Sequence, residues 1–433
     1  MKTYNVLLIG AGNRGTKYTN LMLDMPEGFK VVAVAEPIER RRNNIKHKHG
    51  IADNMCFNSW EDALSQPKLA DLAIISTMDD MHYKPALKAI ELGYDLLLEK
   101  PVAQTAKECA DIALAAEKYG SRVLVCHVLR YTSFYCKIKQ LLMDDAIGDI
   151  MSVVAVEGVG NIHQSHSYVR GNWHSEGETT PMLLAKCCHD IDILQWLLGK
   201  NCKKVQSFGE RTHFRPEYAP KGAPVRCYDG GCPEAETCPY NCKKLYFDDK
   251  KNLWFREACT KGIASSDGNP TDEEVDLALK TTDYGLCVYH ANNDVVDHQT
   301  VNMQFEGAVT VTLHMNAFNK GGRYIRIFGT KGELYANMGD ENITVYNFAE
   351  KKQYTVNVLG ISDSILSGHG GGDNGIVKEL YEYLNDDYKG ISAADINISV
   401  KNHLIGFAAE KSRRNDTVES VDKFFKEYGF ENY

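Results

Sequence analysis

The chain reads as an N-terminal doubly wound parallel α/β sheet followed by an α+β domain on an open, mostly antiparallel sheet. Three observations predict this. Residues 1–126 alternate short apolar runs with helical patterns, as parallel strands covered by helices do. Beyond residue 127 the runs lengthen, alternate in polarity and lose most of their intervening helices. The first run, Asn5 to Ile9, empties into Gly10-Ala11-Gly12-Asn13-Arg14-Gly15, and an acid, Glu36, closes the second.

In the first unit the strand runs are Val6–Ile9, Val31–Val34, Leu72–Ser76, Asp95–Leu98 and Val123–Cys126, with helical stretches such as Tyr83–Leu92 and Ala106–Tyr119 between them. A strand entering G-x-G-x-x-G and leaving as a helix is what a dinucleotide-binding turn requires. Gly10 takes a backbone shape other residues resist, Gly12 has no side chain to keep a pyrophosphate away, and Gly15 lets the helix sit close to the sheet. The helix start, at Asn13 and Arg14, offers free N–H groups and partial positive charge to phosphates. Glu36 would accept hydrogen bonds from an adenosine ribose and repel a 2′-phosphate, so NAD is expected over NADP. Arg40, Arg41 and Arg42 read as a solvated helix start, although an arginine there could pair with that phosphate. Ligands of such sheets bind beyond the C-terminal strand ends, which points to Ser76-Thr77-Met78 and Glu99-Lys100-Pro101.

In the second unit, residues 127–433, strand character marks Ile150–Gly158, Val205–Gly209, Gln299–Phe305, Val309–Met315, Arg323–Gly329 and Asn342–Asn347. Helices are expected at Thr132–Asp144, Pro181–Leu198, Gly375–Asn385 and Ser392–Asn415. The stretch from about 211 to 270 is rich in Cys, Pro, Gly and charge. It reads as an insertion that serves as a cover or an oligomer contact.

The chain has 433 residues, 43% hydrophobic and 25% charged, as a soluble globular protein of two or three cores does. A net charge of −9 argues against nucleic acid or an anionic membrane as partner. No apolar stretch approaches the roughly 20 residues of a membrane span, and Asn5 to Ile9 is too short for a signal peptide. The thirteen cysteines are then expected as reduced thiols in the cytoplasm.

Taken together these residues resemble the Gfo/Idh/MocA oxidoreductases over nearly the whole chain. Glu99-Lys100-Pro101 matches that family's E-K-P motif, and His82 with Ala86-Leu87 and Ala89-Ile90-Glu91-Leu92-Gly93 matches the pattern upstream of it. Arg130-Tyr131 and Ile147-Gly148-Asp149-Ile150 match the passage into the second domain, and His189-Asp190-Ile191-Asp192 matches the H-x-x-D helix. The resemblance implies a Rossmann cofactor domain and an open sheet that forms part of a homodimer or homotetramer contact. It also implies hydride transfer between a nicotinamide and a carbon of a sugar or cyclitol. Expected cofactor contacts are Gly10, Gly12, Asn13, Arg14, Gly15, Glu36, Thr77, His82, Glu99 and Lys100.

Two catalytic residues carry over by motif. Alcohol oxidation needs a base for the hydroxyl proton, which suits His189. Lys100 would orient the hydroxyl and stabilise developing alkoxide charge, or act as the base if its pKa is lowered. Many members carry an aspartate one turn before the histidine; here that position is Ala185. Lys186, three residues before His189, is expected to share its face and supply the missing polar group.

Three further polar clusters complete the expected sugar pocket: His163, His166, Tyr168, Arg170 and Trp173; Asp297 and His298; and His369 in a glycine-rich helix start. Aromatic faces beside hydrogen-bonding groups suit a pyranose, and the clusters resemble a glycoside-related branch of the family. Metal binding by His163, His166 and His298 ranks below that reading. Cys227, Cys232, Cys238 and Cys242 are candidate ligands of a structural zinc, though they lack paired C-x-x-C knuckles.

The leading expectation is an NAD-dependent dehydrogenase of a secondary hydroxyl on a sugar or glycoside, with C3 as the candidate carbon. A second is a glycosidase that keeps NAD and works by oxidation, elimination, water addition and re-reduction. A third is a non-catalytic NAD-sensing regulator.

Overall fold

The computed structural model describes residues 2–248, 253–261, 263, 270–358, 372–385 and 388–430. The first sheet has six strands: β1 (Tyr4–Ile9), β2 (Phe29–Ala35), β3 (Cys56–Phe57), β4 (Leu72–Ile75), β5 (Asp95–Leu98) and β6 (Val123–Val125). They are all parallel, in the order β3-β2-β1-β4-β5-β6. The apolar runs of β1, β4, β5 and β6 are buried on both faces, as helices on both sides of a parallel sheet demand. Strand order reverses between β1 and β4, so a crevice opens there at the C-terminal strand ends.

The second sheet has nine strands: β7 (Ile150–Gly158), β8 (Cys202–Glu210), β9 (His298–Phe305), β10 (Thr310–Asn316), β11 (Gly322–Gly329), β12 (Gly332–Asn337), β13 (Asn342–Asn347), β14 (Lys352–Asn357) and β15 (Glu419–Ser420). Their order is β14-β13-β12-β11-β7-β10-β9-β8-β15. Only the β7–β10 pair is parallel. One face carries Val301, Met303, Val311, Leu313, Ile325 and Ile327 into the core, while the other leaves Phe208, Tyr324 and Tyr335 exposed. Period-two alternation is the cause.

Four local outcomes depart from the sequence reading. The expected helix Pro181–Leu198 breaks at Lys186 and Cys187, giving Met182–Ala185 and Cys188–Leu198. The polar stretch after β7 is a buried helical segment, Asn161–His163 continued by a π-turn over Gln164–Val169. The insertion has a small core of its own, in which Cys242, Tyr246, Phe255 and Cys259 pack on Val275 and Leu279 of the helix Asp272–Thr281. Finally, the helix Gly372–Leu384 returns to the first sheet, where Ile376, Val377 and Leu380 join the cluster of Tyr4, Val6 and Leu8. Among the described residues no helix is long and apolar enough to cross a membrane.

Candidate functional site

The glycine turn has the geometry its chemistry needs. Gly10 sits at φ +89°, and a Cβ there would lie 2.8 Å from the Ser76 carbonyl oxygen. A Cβ on Gly15 would lie 2.2 Å from the Gly10 oxygen, whereas one on Gly12 would meet nothing within 4 Å. Gly12 therefore faces open space at the start of the helix Asn13–Met22, which has no side-chain cap. That is a cradle for a pyrophosphate. Glu36 is buried beside it; its carboxylate accepts from the backbone N–H of Ala11 (2.7 Å) and of Ile38 (3.0 Å). An acid pinned at this strand end suits a ribose and disfavours a 2′-phosphate. The residues present thus fit NAD.

Arg14 leaves the turn sideways. Its guanidinium donates to Glu99 (2.8 Å) and to Asp373 (2.7 Å), tying the turn to the end of β5 and to the returning helix. Glu99 also accepts from the Tyr18 hydroxyl (2.6 Å) and the Lys100 N–H (3.0 Å). Burial pushes the Glu99 carboxyl up, but Arg14, Lys100 and Tyr18 together hold it below the usual range. His82 is buried with its ring nitrogens against the carbonyls of Pro101 (2.7 Å) and Thr77 (3.2 Å). It braces the ends of β4 and β5 through both nitrogens. Thr77 turns its hydroxyl to the Met81 carbonyl (2.9 Å).

Lys100 stands where the two domains meet. Its Nζ donates to the carbonyl of Ala185 (3.3 Å), on the segment that leads through the helix break to His189. The His189 ring lies edge-on to His127 at 5.9 Å. His127 is fully buried, 5.8 Å from the His403 ring and 3.7 Å from Asp192. Burial holds it down at about 4. Asp192 is itself paired with Arg130 at 2.6 Å. Lys186, freed from the helix by the break, reaches Glu157 at 3.4 Å. Arg323 binds the same Glu157 (2.6 Å) and Asp190 (2.8 Å), so Lys186 ends a buried chain of alternating charge. Its amine is placed by Glu157 and not by a face shared with His189.

Two buried groups beside these residues escaped the sequence reading. Asp79, just past β4, is buried and accepts from the Trp173 indole (3.0 Å). Burial pushes its carboxyl up, against the pull of His82 and Lys100. The only sequence signal was its place at a strand end. His127 follows β6 in the same way. Of the expected sugar contacts, Trp173 packs on Tyr168 and Tyr168 on His163. Burial, then Lys186, His166, Arg323 and Lys100, push His163 well below its ordinary value. The fold therefore gathers Asp79, Lys100, His163, Tyr168, Trp173 and Lys186.

Other expectations are corrected. His166 is buried against Tyr246, Phe255 and Tyr284 with its Nδ1 2.7 Å from the Tyr246 hydroxyl, so it docks the insertion. Arg170 spends its guanidinium on the carbonyls of Leu286 (2.8 Å) and Tyr240 (2.7 Å). Asp297 is fully buried and accepts from the N–H groups of Thr212 and His213 and from His298 (2.8 Å); this pair caps the β8–β9 junction. His369 lies outside the described residues. Cys227, Cys232, Cys238 and Cys242 do not form a ligand set. Among the described residues no three His, Cys, Asp or Glu side chains converge as a metal site needs. Cys242 instead is buried in the insertion core and donates its N–H to the Cys227 sulfur (3.5 Å).

A cavity of about 1000 Å³ approaches this centre from the cofactor side, between Ile38 and Met78, the loop bearing Asn172 and His174, the insertion residue Lys261, and Tyr284. Its walls include neither Lys100 nor His189. Asp79, whose neighbours Met78 and Asp80 line it, feels the charge of Lys100.

Comparison with known proteins agrees with this geometry. YteT of Bacillus subtilis (strain 168), which carries an oxidoreductase name, is 24% identical over 335 residues, 74% of each chain. Inositol 2-dehydrogenase of Salmonella typhimurium (strain LT2) is 24% identical over 205 residues, 47% of this chain and 57% of that protein. The 2,7-anhydro-N-acetylneuraminate hydratase of Escherichia coli (strain K12) is 26% identical over 207 residues, 47% and 52% of the two. Among solved structures, an Agrobacterium radiobacter oxidoreductase in complex with NAD+, L-tartaric acid and magnesium superposes with a TM-score of 0.68 at 13% identity, over 98% of this chain and 99% of that one. The super-repressor mutant of Gal80p from Saccharomyces cerevisiae does so at 0.67 and 15% identity, over 98% and 99%; these likenesses concern the fold. The family profile described as oxidoreductase, NAD-binding Rossmann fold matches residues 4–127, and its partner, the C-terminal alpha/beta domain, matches residues 139–419. With both halves matched in order, the chain belongs to the Gfo/Idh/MocA oxidoreductase family.

Proposed function

We propose that the protein transfers a hydride between NAD and a secondary hydroxyl carbon of a sugar, glycoside or related polyol, with C3 of a pyranose as the first carbon to test. The observation that carries the reading is the meeting of Lys100, from the end of β5, with the Ala185 carbonyl just ahead of His189. It brings the Lys100 ammonium to the segment four residues ahead of His189, which supports the two acting on one hydroxyl. Bound in that turn, NAD supplies the hydride acceptor. His189 takes the hydroxyl proton, and Lys100 orients the oxygen and stabilises its developing charge. Trp173 and Tyr168 offer an apolar wall for ring C–H groups, and His163 and Lys186 hydrogen-bond neighbouring hydroxyls. The inositol and anhydro-sialate chemistry of relatives supports a polyhydroxylated substrate. Glu36 supports NAD over NADP. The exposed Phe208, Tyr324 and Tyr335 on the open face of the second sheet suit a homo-oligomer contact.

A second reading, in which NAD is kept and regenerated during a glycoside-cleaving cycle, draws on Ala185 standing where many family members carry an aspartate. A panel of polyols, free sugars and aryl glycosides, with and without added NAD, separates the two. Stoichiometric NADH without aglycone release supports the dehydrogenase. Aglycone release without net NADH assigns the retained-cofactor cycle. Silence in both, with tight NAD binding, would leave a regulator and sink the proposal.

A further inference from the structure

The insertion spans from the second domain to both rims of the cofactor crevice. At one end His166 and Tyr246 bind each other at 2.7 Å, and Arg170 donates to the Tyr240 carbonyl at 2.7 Å. At the other end, just past the helix Leu253–Cys259, the carbonyl of Lys261 accepts from the Arg41 guanidinium at 3.3 Å. The ammonium of Lys261 meanwhile reaches the Met78 sulfur at 3.4 Å. Arg41 lies in the helix that follows β2, and Met78 follows β4. These two strands flank β1, whose end carries the glycine turn. Lys261, Ile38 and Met78 line the same cavity.

The partner of that ammonium is poorly matched to it. A thioether is a weak acceptor, and among the described residues no carboxylate pairs with Lys261. Burial and Arg41 pull the amine below its ordinary value, while Glu36 and Asp79 pull it up. The Lys261 carbonyl is held at Arg41, whose neighbour Arg42 donates to the Glu36 carbonyl, and its ammonium at Met78 beside Asp79, so Lys261 stands between the ribose end of the site, at Glu36, and the reacting end, at Asp79. Between those ends a dinucleotide has its pyrophosphate, and a lysine is a suitable point charge for phosphate oxygens.

We propose that Lys261 is a cofactor-binding residue contributed by the insertion. Its ammonium meets the pyrophosphate from the side opposite the glycine turn, and its tie to Arg41 slows cofactor release. The inference rests on NAD binding in the turn and deepens it. A cofactor held from both sides exchanges slowly, which suits a reaction that returns the cofactor to its starting state on every turnover.

The test uses the full-length protein, with NADH fluorescence on dilution into excess NAD as the probe of release. Lys261→Ala should release NADH about tenfold to a hundredfold faster than the parent, as loss of one charge-assisted contact implies. Lys261→Arg, which keeps the charge, should restore most of the difference. The parent should also keep more NAD per chain through gel filtration than Lys261→Ala. Equal release rates in all three proteins would overturn the role of Lys261 and leave the cofactor site intact. If none of the three binds NADH, the cofactor reading falls as well.

Discussion

Lys100 and Glu99 are adjacent in sequence and opposite in fate. Glu99 is walled in by Arg14, Tyr18 and the Lys100 backbone and serves as a strut. Lys100 crosses to the second domain. The buried histidines divide in the same way. His127, His166 and His403 are held neutral by burial, at about 4, 3 and 3. Each folded value lies below the ordinary 6.5, so in acid the unfolded chain binds protons that the folded chain does not. Stability is full above about pH 6.5 and falls as pH drops from there toward about 4 and below. Thermal unfolding followed from pH 7.5 downward should show Tm falling through that window, more steeply than in His127→Gln. A flat Tm over it would show that His127 is not held neutral.

Local geometry was legible at this scale: the glycine turn, Glu36 and the E-K-P turn take shapes set by their own neighbourhood. Asp79 and Lys261 were not, because Trp173 and Arg41 define them from distant parts of the chain. His166 and Asp297 were misread for the complementary reason. A buried polar residue satisfied by its surroundings has the same sequence appearance as one facing a ligand.

At the scale of elements, the strand-to-helix turn is the most strongly specified piece. Gly12 and Gly15 play separable parts in it. Gly12→Ala places a Cβ in open space, while Gly15→Ala drives one into the Gly10 carbonyl oxygen. Calorimetry and NAD titration should therefore split. Gly12→Ala should keep the parent's Tm within a degree or two while weakening NAD about tenfold or more. Gly15→Ala should lower both. If Gly12→Ala bound NAD as the parent does, the pyrophosphate would not lie against that turn. Four strands escaped sequence reading, β3, β12, β14 and β15; β3 and β15 have two residues each, and β14 is a largely exposed edge strand without a buried face to impose alternation. The break at Lys186 was hidden because both flanking segments are apolar and helical; the Glu157–Lys186 pair forms across the fold.

At the scale of the molecule, three separate parts of the chain converge on one crevice: the first sheet, the broken helix before His189, and the insertion. A parallel sheet covered by helices was foreseeable from the alternating pattern. The place of the insertion was not, since its contacts with Arg41 and with the segment around His166 leave no periodicity. The return of Gly372–Leu384 to the first sheet ties the far end of the chain to the cofactor turn through Asp373 and Arg14.

The most direct measurement is single-turnover reduction of bound NAD, followed at the NADH band after mixing with the best substrate from the panel. The parent should show a reduction phase. Lys100→Ala and His189→Ala should slow that phase by about a hundredfold to ten-thousandfold, as loss of a positioned acid–base group does, with His189→Ala binding NAD as the parent does. A reduction phase unchanged in both variants would contradict the assignment of the chemistry to Lys100 and His189.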